Sequence, residues 1–381
     1  MNHDFVAAMR RAAAVVRQGD IAGATQTIRE ALNGAKVQPT PPVSDDRAAG
    51  SPQRERRPLG EVLHLLRKGR AEGGIAPALP GGEGRASRPG PHVADGALYL
   101  SETFAGPAGT RAYRLYVPAS ARRTPRALLV MLHGCKQDPD DFAKGSRMNE
   151  EAETHGLVVA YPAQVSSANP SSCWNWFNPT NQVRDSGEPS IIAGITRDIV
   201  ARYDVPTSQV FVAGLSAGGA MAAVMAETYP DLYSAVGIHS GLPYGAASDV
   251  VSAFAAMRGE ARAFAPNLQR GAAEGSRIRT IVFHGSADQT VSPANAQRIA
   301  DAARRRFANG TLHTEAGASD GGRTYTRTII RDSSGAAAAE FWMIDGAGHA
   351  WSGGHPDGSF TDPRGPHSSA EMVRFFIAPE R

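Results

Sequence analysis

From Ala97 onward, short apolar and β-branched runs alternate with stretches whose apolar residues recur every three or four positions. Arg111–Val117, Ala127–Leu132, Leu157–Tyr161, Val210–Ala213, Ala235–His239, Thr280–Phe283 and Glu340–Ile344 predict strands. Helices are predicted near residues 141–155, 189–203, 217–229 and 293–307, with a last one over Ser368–Ile377. Strands that alternate with helices bury both faces of their sheet. An α/β class follows, with a mostly parallel central sheet and helices on both faces. The first two runs precede any helix and suit an antiparallel start.

Ahead of this domain the pattern differs. Phe5, Met9, Ala12 and Val16 form one helical stripe, Gly19-Asp20 interrupts it, and Ile21, Ala24, Ile28 and Leu32 form a second. Residues 1–34 read as a helical hairpin, and no second copy follows to make a repeat array. Residues 35–94 read as a Pro/Gly/Arg-rich linker with a short amphipathic helix at 58–68, carried by Leu59, Val62, Leu63 and Leu66. The expected organisation is a partly disordered helical arm followed by one large domain over 95–381.

Composition sets limits on what this chain can be. Of 381 residues, 41% are hydrophobic and 20% charged, as in soluble globular proteins. No run approaches the roughly 18 consecutive apolar residues of a membrane span. The net charge is +3, yet residues 1–90 alone carry 14 Lys+Arg against 9 Asp+Glu, so the basic character belongs to the arm. Its amphipathic helices raise a reading of another class, a binding protein docked on a polymer granule, an anionic membrane or a partner. The arginines are scattered and form no run, which suits a solvated arm. Arg10 and Arg11 precede only Ala12–Val16 before Arg17, too short an apolar core for export, so the expected compartment is the cytoplasm. Cys135 and Cys173 have no further ligand at metal-binding spacing. Asp138-Pro139-Asp140-Asp141 reads as a turn and helix cap, not a calcium loop. No phosphate loop or dinucleotide fingerprint stands in its required context. No metal, cofactor or nucleic-acid partner is expected.

The strongest chemical signal is Gly214-Leu215-Ser216-Ala217-Gly218, placed between a predicted strand and a predicted helix. A G-x-S-x-G turn in that setting exposes the serine hydroxyl, and its glycines remove side chains that would clash. The plainer alternative is a glycine-rich turn whose serine caps the helix. A nucleophilic serine needs a base, itself oriented by an acid, and in the α/β-hydrolase fold these follow in the order Ser, Asp or Glu, His. Asp288 lies in the loop after the Thr280–Phe283 strand, and His349 lies in the loop after Glu340–Ile344. Asp320 lacks a strong preceding strand and Asp345 stands too near the histidine. His284 precedes the acid, while His355 and His367 sit further into polar loop. Oxyanion donors are expected from the backbone N–H of Ala217 and of Cys135, the latter in the loop after Leu128–Leu132. His133 is expected to stabilise that loop through a hydrogen bond. Trp351, two residues beyond His349, is a candidate pocket wall or a core residue.

Leu-His-Gly-Cys-Lys-Gln (132–137), Cys-Trp-Asn-Trp-Phe (173–177), Gly-Leu-Ser-Ala-Gly-Gly-Ala-Met (214–221), Gly-Leu-Pro-Tyr-Gly (241–245), His-Gly-Ser-Ala-Asp (284–288) and Gly-His-Ala-Trp (348–351) resemble the polyhydroxybutyrate-depolymerase family of esterases. The resemblance runs over about residues 95–377. It implies an α/β-hydrolase catalytic domain, carboxylic-ester hydrolysis and a Ser216–Asp288–His349 triad. It further implies that Cys135 and Cys173 lie close together near the active site, bridged in secreted relatives, which leaves an extracellular location open. Trp174, Trp176, Phe177, Tyr244 and Trp351 fall in these motifs and are candidates to line a substrate groove or to pack the core. The substrate implied is a polyhydroxyalkanoate or its short oligomers. Feruloyl or acetylxylan esterase is the alternative, because the family overlaps with both.

Overall fold

The computed structural model describes residues 90–260 and 278–377. The hairpin expected over 1–34, and the linker expected over 35–94 up to residue 89 with its helix at 58–68, lie outside the described residues.

Strands β1 (Leu98–Gly106) and β2 (Gly109–Val117) form an antiparallel hairpin. It turns at Gly109, whose φ of 130° a side chain would resist. The antiparallel start is therefore present, but its partners differ from those expected. The other edge of β2 pairs antiparallel with β4 (Leu157–Pro162), whereas β3 (Ala127–Leu132) lies parallel between β4 and β5 (Val210–Leu215). Every residue of β3 is buried, and a strand covered on both faces belongs in the middle of a parallel sheet.

Strands β6 (Ala235–His239), β7 (Arg279–Gly285) and β10 (Ala337–Ile344) continue the parallel set. Strands β8 (Thr311–Ala318) and β9 (Thr324–Arg331) close that edge antiparallel, giving the order β1-β2-β4-β3-β5-β6-β7-β10-β9-β8. Strands β1, β8 and β9 were not expected. β8 is exposed at nearly every position, so no apolar run marks it.

Among the described residues the α-helices are α1 (Pro139–Ser146), α2 (Met148–His155), α3 (Gly187–Tyr203), α4 (Ala217–Thr228), α5 (Val250–Met257), α6 (Ala294–Arg306) and α7 (Ser368–Ile377). The single helix predicted over 141–155 is split in two. Arg147 takes the left-handed conformation, φ 58°, and its N–H closes α1 on the Lys144 carbonyl. Asp138 caps the start of α1 by accepting from the Asp141 N–H at 2.8 Å, with Pro139 in the first turn, in keeping with the turn-and-cap reading.

Alternation along β3 shows the two cores. Leu128, Val130 and Leu132 join α3, α4 and α6 on one face, while Ala127, Leu129 and Met131 join α1, α2 and α7 on the other. The chain leaves β3 toward β4 on one side and returns to β5 on the other. The carboxyl ends of β3 and β5 thus flank a topological switch point, where open α/β sheets leave a crevice. The loop holding Cys135 and the turn holding Ser216 leave the sheet there.

Candidate active site

Ser216 stands between β5 and α4 at φ 58°, ψ −118°, a backbone conformation that costs a non-glycine residue energy. Its surroundings hold it there. Its N–H donates to the His239 carbonyl at 2.9 Å, and its carbonyl accepts from the Ala220 N–H at 2.9 Å. The motif glycines are steric necessities. A Cβ on Gly218 would stand 2.0 Å from the Leu132 carbonyl oxygen, and one on Gly214 would stand 2.4 Å from the Gly218 carbonyl carbon. The Ser216 side chain makes no capping hydrogen bond to α4, which removes the plain helix-cap alternative. Ser216 is 9% exposed. Helix α4 is buried from Ala217 to Ala226, and the N–H of Ala217, in its first turn, has no intrahelical acceptor.

Asp288 and His349 come from the loops after β7 and β10, which are parallel neighbours. The two loops interlock: Ser286 N–H donates to the Ile344 carbonyl and Ala287 N–H to the Ala347 carbonyl, at 2.9 and 3.0 Å. His349 Nδ1 lies 2.7 Å from Asp288 Oδ2, while Oδ1 accepts from the N–H groups of Thr290 and Val291 at 2.9 and 2.8 Å. Burial pushes the Asp288 carboxyl up, but the hydrogen bonds from His284, His349 and the Val291 N–H outweigh it and hold the group well below the usual carboxylate range. An ionised Asp288 keeps the proton on His349 Nδ1 and leaves Nε2 as the basic nitrogen. The His349 side chain is 12% exposed, so the ring is reachable yet mostly shielded. The other acids are committed elsewhere or solvated: Asp345 accepts from the Thr324 hydroxyl at 2.6 Å, and Asp320 is exposed.

Two further histidines, His284 and His239, pack around this pair. Buried His284 donates its Nε2–H to the Val291 carbonyl at 2.8 Å, which sets the same nitrogen 3.4 Å from Asp288 Oδ2. Its position four residues before Asp288 was the only signal for this contact. His239 ties the serine turn to the base loop. Its carbonyl takes the Ser216 N–H, and its Nε2 accepts from the Ser352 N–H at 3.0 Å. Burial, then repulsion from His284 and His349, holds the His239 imidazolium well below its usual range, so the neutral ring can accept that bond.

The loop after β3 lies over Ser216: a Cβ built on Gly134 would stand 3.6 Å from Ser216 Cβ. His133 stabilises this loop. Its Nε2 accepts from the Gln164 N–H at 3.0 Å, so its Nδ1 donates to the Gly134 carbonyl at 2.8 Å. The Cys135 N–H has no acceptor among the described residues.

Cys135 is bridged to Cys173, with Cα atoms 4.3 Å apart. Glu188 holds the far side of the bridge by accepting from Gln164 Nε2, Asn175 N–H and Asn175 Nδ2, and Gln164 Nε2 also donates to the Cys173 carbonyl.

The aromatic candidates divide. Trp351 is 1% exposed, stacked on His239 and edge-on to Phe142, with its indole N–H donated to Ser369 Oγ. It is a core residue behind the base loop and not a pocket wall. Trp174 and Trp176 are also buried; Trp174 packs beside His133, and Trp176 meets Phe177 edge-on. Tyr244 is half-buried, its hydroxyl donated to the Gln182 carbonyl at 2.8 Å. Tyr244 and Phe177 are thus the two candidates that are not fully buried.

Poly(3-hydroxyalkanoate) depolymerase C of Paucimonas lemoignei is 32% identical to this chain over 229 residues, 58% of this chain and 54% of that protein. Probable acetylxylan esterase A of Aspergillus fumigatus is 31% identical over 221 residues, 53% of this chain and 57% of that protein. The chain spans little more than half the length of these two relatives. Among solved structures, an acetyl xylan esterase from Aspergillus awamori superposes with a TM-score of 0.57 at 22% identity, covering 74% of this chain and 98% of that one, which places the two in one fold. The family model of esterase PHB depolymerases matches residues 111–328, more than half of the sequence, and the chain belongs to that family.

Proposed function

We propose that the protein is a serine carboxylic-ester hydrolase acting on polyhydroxyalkanoate or short hydroxyalkanoate oligomers. The observation that carries the reading is the strained Ser216 turn, whose hydroxyl does not cap its helix, beneath the Gly134 loop and tied through His239 to the loop of His349. In this reading Ser216 Oγ attacks the ester carbonyl while His349 Nε2 takes its proton. Asp288 keeps the imidazole in the required tautomer and stabilises the imidazolium. The N–H groups of Ala217 and Cys135 receive the charge that develops on the carbonyl oxygen. His349 then protonates the leaving alkoxide, and a water activated by the same nitrogen releases the acid from the acyl-enzyme. Tyr244 would border the entrance.

The acetylxylan esterase likeness supports a second reading, the same chemistry on acetyl or feruloyl esters of plant polysaccharide. A hydrolysis panel of 3-hydroxybutyrate oligomers, acetylated xylan and methyl ferulate separates the two. Preferred turnover of the oligomers supports the first reading, and preferred turnover of either plant ester overturns it.

Among the described residues no helix is long and apolar enough to cross a membrane. The Cys135–Cys173 bridge favours an oxidising compartment over the cytoplasm expected from the sequence, because cytosolic thiols are kept reduced. Docking of residues 1–90 on a polymer granule would supplement this chemistry, and cosedimentation of that segment with granules tests it.

A further inference from the structure

Gln137 takes no part in the chemistry proposed above, yet it is buried beside the oxyanion loop with its side-chain amide and backbone N–H engaged. Its Oε1 accepts from the Gly134 N–H at 2.9 Å, and its own N–H donates to the Gly134 carbonyl at 3.3 Å. Its Nε2 donates to Asp141 Oδ2 at 3.0 Å, to the Ser359 carbonyl at 3.1 Å and to Ser359 Oγ at 3.3 Å. The partners dictate the amide orientation. Turned over, the side chain would set an NH₂ against an N–H, and an oxygen against a carboxylate and a carbonyl.

These bonds fix two successive peptide planes. The Gly134 N–H is held by the Gln137 side chain. The Gly134 carbonyl is held by the Gln137 N–H together with the His133 ring. A trans peptide is planar, with its C=O and N–H pointing to opposite sides. Pinning the Gly134 carbonyl outward therefore aims the Cys135 N–H the opposite way. The far end of the amide is anchored as firmly. Asp141 also accepts from the Ser359 N–H and hydroxyl, and Phe360, the next residue, accepts from the Trp351 N–H at 2.7 Å, two residues beyond His349. A continuous chain of bonds thus links the loop of the oxyanion donor to the loop of the base.

We infer that Gln137 is a positioning residue, holding the Cys135 N–H in the orientation that receives the oxyanion and in register with His349. This rests on the serine-hydrolase reading above. A misaimed donor weakens transition-state binding more than substrate binding, and loss of one oxyanion donor typically costs about 10²–10³-fold in kcat.

The test is Gln137→Met, close in shape but without the amide, assayed on p-nitrophenyl butyrate. A trifluoromethyl ketone, which adds Ser216 Oγ to its carbonyl and carries an oxyanion, serves as inhibitor. We expect kcat to fall about 10–100-fold with KM within about threefold, and the ketone to bind more weakly by a factor that tracks kcat. Ser359→Ala, which removes one anchor of the amide, should lower kcat and ketone affinity in the same proportion by a smaller factor, and it decides the matter if Gln137→Met does not fold. Unchanged kcat in a folded variant, or a loss confined to KM, overturns the inference. Fluorophosphonate labelling of the wild type at Ser216 keeps the two levels apart. No labelling overturns the serine reading itself, whereas labelling with an unaffected Gln137→Met overturns only the role of Gln137.

Discussion

Asp288 Oδ2 lies between two imidazoles, 2.7 Å from His349 Nδ1 and 3.4 Å from His284 Nε2. One carboxylate oxygen thus orients the His349 ring, and the His284 ring from the preceding strand lies against it with its N–H on the Val291 carbonyl. Both contacts favour the ionised acid, which ties the proposed catalysis to the acid stability of the fold.

Asp288→Asn preserves the shape but makes the opposite imidazole tautomer favourable, so turnover of a small ester should fall about 10³–10⁴-fold. If Asp320→Asn proves the damaging change and Asp288→Asn is mild, the acid is assigned wrongly.

The depressed Asp288 carboxyl also has a signed effect on stability. Its folded value lies below the unfolded one, so its contribution is fully present above about pH 4–5 and is lost as pH falls through the folded value. The melting temperature of the wild type should therefore decline more steeply from about pH 5 to pH 2 than that of Asp288→Asn. Parallel curves for the two proteins would contradict the linkage.

Ser216→Ala should abolish p-nitrophenyl butyrate hydrolysis, by about 10⁴-fold or more, in a protein that melts like the wild type. A fluorophosphonate should label the wild type at Ser216 only. Modification mapped to another serine would refute the nucleophile.

The Cys135–Cys173 bridge should stabilise the domain by about 2–4 kcal/mol, so reduction should lower the melting temperature by roughly 5–10 °C. Activity on a small ester at 25 °C should persist, because the turn below Cys135 is held separately by Gln137 and by the Lys136 N–H on the Ser171 carbonyl. More than a tenfold loss in protein that remains folded would show that the bridge itself aims the donor.

A chain beginning at Gly90 should hydrolyse soluble short esters at close to the full-length rate, since every group proposed for the chemistry lies beyond it. The cut belongs there and not at Ala94, because the His92 carbonyl accepts from Asn149 Nδ2 at 2.9 Å. A folded but inactive product would assign the arm a part in the site.

The sequence alone determined the central strands and the three residues proposed as a triad. Uniformly apolar runs such as Ala127–Leu132 mark strands covered on both faces. A serine flanked by glycines at a strand-to-helix turn is a local pattern, as is the order of an acid and a histidine after later strands. Edge strands such as Thr311–Ala318 stayed hidden because solvent contact on both sides leaves no hydrophobic period. The break at Arg147 depends on one left-handed residue and leaves no trace in composition. Only the tertiary structure decided which motif residues are buried in the core. Trp351 and Tyr244 look alike as aromatics in neighbouring motifs, but packing against His239 and Phe142 sends the first into the core. The structure likewise revealed the contacts of His239, His284 and Gln137, whose partners lie as far as 222 residues away along the chain. Such contacts are made by loops that converge at the ends of neighbouring strands, and that convergence exists only once the sheet is assembled.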